Sequence, residues 1–158
     1  MGEAARAAPA MRIAQVGEAD LAALLPMMRA YCDFYEVAPS DADLEGLARA
    51  LIADPDREGI QLLARGDGGE PLGFATVFWS WQTLSASRVA VMNDLFVVPE
   101  TRKQGVGRAL IEECRRRAGE WDAAELVWET ALDNETAQRL YRSLNVEESR
   151  WISYSLEV

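Results

Sequence analysis

Histidine is missing from this 158-residue chain, and cysteine occurs only twice, at Cys32 and Cys114. The first absence removes the base of a Ser-His-Asp triad. The two shortages together leave a zinc site without ligands, so no metal is expected. Cys32 and Cys114 fall on predicted helices with no pairing spacing and read as free buried thiols in a reducing cytoplasm. Long apolar runs are missing too. No stretch approaches a membrane-spanning length, and MGEAARAAPA lacks the apolar core of a signal peptide. Residues 1–10 read as a mobile Ala-rich arm, and 11–158 as a single domain. Positive charge is scarce, with 16 Lys and Arg against 26 Asp and Glu, a net of −10. A nucleic-acid surface wants the opposite sign, so that partner is disfavoured. An acidic surface attracts a cationic small molecule, although acidity also serves solubility alone.

Two nucleotide signatures are absent as well. No G-x-x-x-x-G-K-S/T string occurs, and no G-x-G-x-x-G follows a strand. What does occur is NDLFVVPETRKQGVGRALIEECRRRA, Asn93 to Ala118. Leu95, Phe96, Val97 and Val98 form an apolar β-forming run, which Pro99 ends by removing a donor. A polar turn, Arg102 to Gly107, follows. From Val106 the apolar positions Leu110, Ile111, Cys114, Ala118 and Trp121 recur at helical spacing. A strand, a glycine-bearing loop and a helix therefore meet here. The unpaired amides and partial positive charge of a helix N-terminus suit a phosphate. Gly105 and Gly107 keep side chains out of its way, and Arg102, Lys103 and Arg108 add cationic donors.

The rest of the chain alternates strands and helices. Met11 to Val16 reads as a strand, and a helix with the stripe Leu21, Leu24, Leu25, Met28, Cys32 and Tyr35 follows. Pro26 sits awkwardly within it. Ser40 with Asp43 marks the cap of a second helix. Ile60 to Ala64 and Leu72 to Trp81 read as strands joined by the turn Gly66–Glu70. Arg88 to Val98 is the next strand. Ala124 to Ala131 is expected as a strand, Asn134 starts a short helix, and Ser149 to Val158 alternates as an antiparallel strand. The order predicts a mixed α/β sheet, an antiparallel meander followed by one βαβ crossover.

The R-x-x-G-x-G string, Arg102 to Gly107, resembles the acyl-CoA motif of the GCN5-related N-acetyltransferases, the GNAT superfamily. The later segment WETALDNETAQRLYRSLNV, Trp128 to Val146, is similar to that family's N-x-x-A-x-x-L-Y-x-x-x-G-F, with Asn134, Ala137, Leu140 and Tyr141 in register. Asn145-Val146 replaces Gly-Phe, and Asn tolerates the left-handed conformation that ends such a helix. The resemblance covers most of the chain from Met11 onward and implies the GNAT acyltransferase fold.

It also implies a soluble enzyme that moves acetyl from acetyl-CoA to an amine of a small cationic molecule, amino acid or peptide. The small-amine, amino-acid and histone-type subgroup is the looser match. The same fold also serves non-catalytic acyl-CoA sensors, and a pure interaction module is a third reading. On this chain the resemblance puts the pantetheine arm against the backbones of Phe96, Val97 and Val98. The pyrophosphate falls to Arg102, Lys103, Gln104, Gly105, Val106, Gly107 and Arg108. Asn134 and Ala137 follow the arm.

Tyr141 is the expected general acid for the departing thiolate, although its ring also fits the Leu140–Leu144 stripe. Some relatives carry Glu-Asp-Phe-Phe where this chain has Asn93-Asp94-Leu95-Phe96. Asn93 cannot be a base. Asp94 is a carboxylate in an apolar strand, fit either to take the amine proton or to pair with a neighbouring loop. Tyr31, Phe34, Tyr35, Glu36, Trp79 and Trp81 form an aromatic and acidic set suited to an alkylammonium and equally suited to core packing. The C-terminal strand offers an edge on which a second copy can pair as a homodimer.

Overall fold

A computed structural model describes residues 10–158, so the expected N-terminal arm lies almost wholly outside the described residues. One sheet runs in the order β1 (Met11–Gln15), β2 (Gly59–Gly66), β3 (Pro71–Gln82), β4 (Ser87–Val97) and β5 (Glu125–Val127). The first four strands pair antiparallel, and β4 pairs parallel with β5. The expected meander and crossover are present. Helix α1 (Leu21–Phe34) and α2 (Asp41–Ala53) cover one face, and α3 (Val106–Glu120) covers the other. A short helix α4 (Glu135–Arg142) follows β5.

Local chemistry accounts for these ends. Ser40 Oγ accepts from the amide of Asp43 at 3.1 Å and donates to its carboxylate at 2.6 Å, closing α2 at its start. Pro26 lies within α1 without ending it. The two sheet faces bury different sets. Leu24, Met28, Leu63, Phe74 and Phe96 pack under α1 and α2, while Leu62, Ala75, Val77, Met92, Leu110 and Cys114 pack under α3. Both cysteines are free and buried. No helix among the described residues is long and apolar enough to cross a membrane.

Two expectations fail at the far end of the chain. The strand expected over 124–131 is only the three residues of β5, and the strand expected over Ser149 to Val158 does not form. Trp151, Ile152, Tyr154, Leu156 and Val158 are each at least 79% exposed. Alternation makes a segment competent to pair, but pairing needs a partner edge, and β5 offers a very short one.

Candidate active site

The sheet opens where the central motif leaves it. β4 pairs with β5 only through Val89, Ala90 and Val91, so its remaining residues up to Val97 face no strand on that side. The backbone alternation decides which groups are free. Val98 N donates to Leu72 O on the β3 side. Two residues back, Phe96 therefore also bonds β3, and Leu95 and Val97 turn their amides and carbonyls to the opening. Of Phe96, Val97 and Val98, only Val97 presents its backbone there. Leu95 was missed, since sequence alternation shows the faces of a strand but not the direction of its hydrogen bonds.

Below the opening, a single 3₁₀ turn, Pro99–Thr101, leads to the loop. Gly105 is the N-cap of α3 with φ +85°, and nothing lies within 4 Å of where its Cβ would stand. The first bond of α3 runs from Ala109 N to Gly105 O. That leaves the amides of Val106, Gly107 and Arg108 unpaired at the helix end, which is the donor set an anion needs. Gly107 is explained by packing. A Cβ there would stand 3.0 Å from Leu140 of α4 and 3.6 Å from Val97.

The polar side chains of the loop divide their duties. Arg108 donates to Ser143 Oγ at 2.8 Å and Ser143 O at 3.3 Å, tying α3 to the end of α4. Arg102 Nε donates to Val97 O at 3.3 Å, and Gln104 Nε2 to Glu100 O at 3.2 Å. Lys103, the only lysine of the chain, holds φ +60° within the turn. On the far side of the opening, Asn134 Oδ1 accepts from Ala137 N at 3.2 Å and caps α4. The Tyr141 ring lies edge-to-face on Trp128 at 5.4 Å. Burial raises its phenol above the usual tyrosine value, which keeps the proton on it at neutral pH.

Asp94 reaches the α1 face through a bulge. Thr76 stands opposite Asp94 but Val77 opposite Met92, so Asn93 is an extra residue in β4. Met92 packs under α3. Strict alternation would put Asp94 on that same face, and the bulge instead aligns it with Phe96 under α1. Burial raises the Asp94 carboxyl, while its polar neighbours Thr76, Asn93 and Tyr31 oppose the rise, Asn93 Nδ2 donating to Asp94 Oδ1 at 3.0 Å. The Tyr31 hydroxyl lies 3.5 Å from Asn93 O, and its own titration is pushed up by burial and by the Asp94 charge.

From Tyr31 an aromatic path leads outward. Its ring meets Tyr35 at 5.0 Å, and Tyr35 meets Phe34 at 5.0 Å. Tyr35 is also close enough to Tyr141 to act on its titration. Phe34, Tyr35 and Glu36 then wall a cavity of about 540 Å³ opposite Asp133, Asn134 and Glu135. Arg139 also lines it and lies 3.8 Å from Glu135. The structure thus gathers Tyr31, Phe34, Tyr35, Glu36, Asp94 and Tyr141 around the opening.

Trp79 and Trp81 are elsewhere. Trp79 stacks on Trp121 at 4.5 Å and donates to Pro55 O at 2.7 Å, on the α3 side. Arg88 lies between the Trp81 and Trp121 rings, 4.5 and 4.0 Å from their centroids. This cluster closes the β3–β4 hairpin end. Trp81 stands five strand steps from Thr76, roughly 16 Å at the strand rise.

Residues 24–145 match the Acetyltransferase (GNAT) family. The chain belongs to that family. It is 32% identical over 149 residues to an uncharacterized N-acetyltransferase, YhfO, of Bacillus subtilis (strain 168), covering 94% of this chain and 98% of the relative. It is 25% identical over 109 residues to an aminoglycoside N(6')-acetyltransferase type 1 of Acinetobacter baumannii, covering 67% of this chain and 73% of that one. The fold matches that of AAC(6')-Iy in complex with the bisubstrate analog CoA-S-monomethyl-acetylneamine, with a TM-score of 0.81 and 23% identity over 94% of this chain and 99% of that one. The protein is an acetyl-CoA-dependent N-acetyltransferase, and acetyl-CoA is its co-substrate. The open β4 edge and the unobstructed Gly105 amides fit that molecule.

Proposed function

We propose that the acceptor is the primary amine of a small cationic molecule. The observation that carries this is the charge of the cavity wall. Glu36, Asp133 and Glu135 outnumber Arg139, and the Phe34 and Tyr35 rings supply faces for an ammonium. Acetyl-CoA brings the thioester. Leu95 and Val97 hold its arm by the backbone, and the amides of Val106, Gly107 and Arg108, with Arg102, Lys103 and Gln104 beside them, hold the pyrophosphate. Asn134, whose oxygen is spent on the cap, has its amide hydrogens for the arm, and Ala137 lies over the same end.

Asp94 takes a proton from the ammonium. The freed nitrogen pair then attacks the thioester carbonyl, the C–S bond breaks, and the thiolate takes the Tyr141 proton. Tyr31, Phe34 and Tyr35 line the path of the amine. The Acinetobacter baumannii relative, whose name specifies aminoglycosides, supports a polycationic acceptor.

The test is a panel of polyamines, aminoglycosides, amino acids and peptides followed by CoA release. The expected acceptor is cationic, and its kcat/KM falls as salt screens the acidic wall. A preferred acceptor of net negative charge, or a rate indifferent to salt, counts against this reading.

The exposed C-terminal segment supports a homodimer, and the two free cysteines support a reducing cytoplasm. Monomers rarely expose contiguous apolar patches beyond roughly 300–600 Å², and here Trp151, Ile152, Tyr154 and Leu156 all lie exposed within six residues. Sedimentation is expected to give twice the 17.5 kDa chain mass, and truncation after Glu148 to give the single mass. A monomer at full length would contradict the dimer.

A further inference from the structure

The α1 face of the sheet carries one polar row in an otherwise apolar surface. Gln61, Thr76 and Asp94 stand opposite one another on β2, β3 and β4. The neighbouring row, Leu63, Phe74 and Phe96, is core throughout. Gln61 is 2% exposed and Thr76 is 0% exposed, so both polar groups have left water.

Their hydrogen bonds run one way. Gln61 Nε2 donates to Thr76 Oγ1 at 3.1 Å and to Met28 Sδ at 3.6 Å. Both neighbours accept there, which fits the amide's hydrogens on that side. With an oxygen lone pair occupied by Gln61, the Thr76 hydroxyl keeps its own hydrogen for the Asp94 carboxylate, which stands directly across the β3–β4 pair and whose titration Thr76 lowers. The chain of donors ends on that carboxylate. It has a cost, because Gln61 Oε1 is buried without a partner. A Leu or Met at the same place would bury no orphaned oxygen, so packing alone does not favour glutamine.

We infer that Gln61 and Thr76 are positioning residues that aim the Asp94 carboxylate at the acceptor amine and hold it as a proton acceptor. The inference rests on the reading of Asp94 as the base. The groups that act on this carboxylate are Thr76 from β3, Asn93 from β4 and Tyr31 from α1, and none of these is a cation. Tyr35 lies behind Tyr31, and Tyr141 of α4 lies beyond Tyr35. Burial and these three polar neighbours, of which Asn93 donates to Asp94 Oδ1 at 3.0 Å, therefore set where Asp94 titrates. Removing the Thr76 hydroxyl deletes a bond to the charged form, so protonation should persist to higher pH.

The experiment follows the Asp94 carboxyl carbon by NMR in ¹³C-labelled protein, its signal assigned by its loss in Asp94→Asn. In Thr76→Val the midpoint is expected to rise by roughly 0.5–1 pH unit, the worth of one hydrogen bond. The acidic limb of kcat/KM, measured with the amine that turns over best in the panel, should rise with it. Thr76→Ser keeps the donor and should stay at the wild-type midpoint. Gln61→Met removes the orphaned oxygen, so the melting temperature should hold or rise while the limb still moves up. A purely structural pair would show the reverse, a lowered melting temperature with an unmoved midpoint. Midpoints in Thr76→Val and Gln61→Met that coincide with wild type overturn the inference alone, provided Asp94→Asn still loses turnover. Wild-type turnover and limb in Asp94→Asn overturn the base reading, and the inference with it.

Discussion

Tyr141→Phe is expected to lower kcat by on the order of 10²–10⁴, the usual worth of a positioned general acid, while acetyl-CoA affinity stays near wild type. The substitution removes only an oxygen. The ring keeps its edge-to-face contact with Trp128. Burial and Tyr35, and no hydrogen bond among the described residues, act on the hydroxyl, so its removal orphans no partner. Stability should therefore move little. Burial raises the phenol, so the acid stays protonated through neutral pH, and loss of activity from its ionisation lies on the alkaline side. A structural tyrosine forecasts otherwise: turnover within a few-fold, or lost only together with the melting temperature. Turnover, acetyl-CoA affinity and melting temperature on one preparation separate the two. Near-wild-type turnover would remove Tyr141 from the mechanism.

The second large effect belongs to the loop. Gly105→Glu should weaken CoA binding by on the order of 100-fold or more, since charged hydrogen bonds to the pyrophosphate are lost and a carboxylate takes their place. The protein should still fold. A Cβ at Gly105 meets nothing within 4 Å, so the cost is the left-handed φ of +85° rather than a clash. A carboxylate at a helix N-terminus also suits the dipole. Gly105→Ala is the control, with the same backbone strain and no charge. It should lower the melting temperature slightly and leave CoA affinity close to wild type. Titration calorimetry with CoA reads both variants, and unchanged affinity in Gly105→Glu would mean that the pyrophosphate lies elsewhere. Gly107 is the contrasting case. Its substitution should loosen α3 against Leu140 before it touches the anion site.

Much of the candidate site was legible because its signals are local. A strand ended by proline, a glycine in a turn and an apolar stripe at helical spacing lie within one stretch of chain, and each follows from near-neighbour sterics. The Asn134 cap and the Ser40 cap were legible for the same reason, since a cap bonds an amide three residues on. The aromatic set was only half legible. Phe34 and Tyr35 share one helix turn and stay together, whereas Trp79 and Trp81 are carried to the other end of β3. Composition does not say where along a strand the site lies.

By itself, then, the sequence determined the order of elements from β1 to α4, the GNAT motifs, the glycine loop and the excess of negative charge. Each of these is a property of neighbouring residues or of their sum. The tertiary structure decided what depends on pairing between distant strands. The Asn93 bulge turned Asp94 onto the α1 face, against the alternation that Met92 would impose. The register of β4 on β3 gave the open edge to Leu95 and Val97 rather than to Phe96 and Val98. The same register set Gln61 and Thr76 in line with Asp94. The alternating C-terminal segment found no edge within its own chain, because pairing is a property of two strands and alternation of only one.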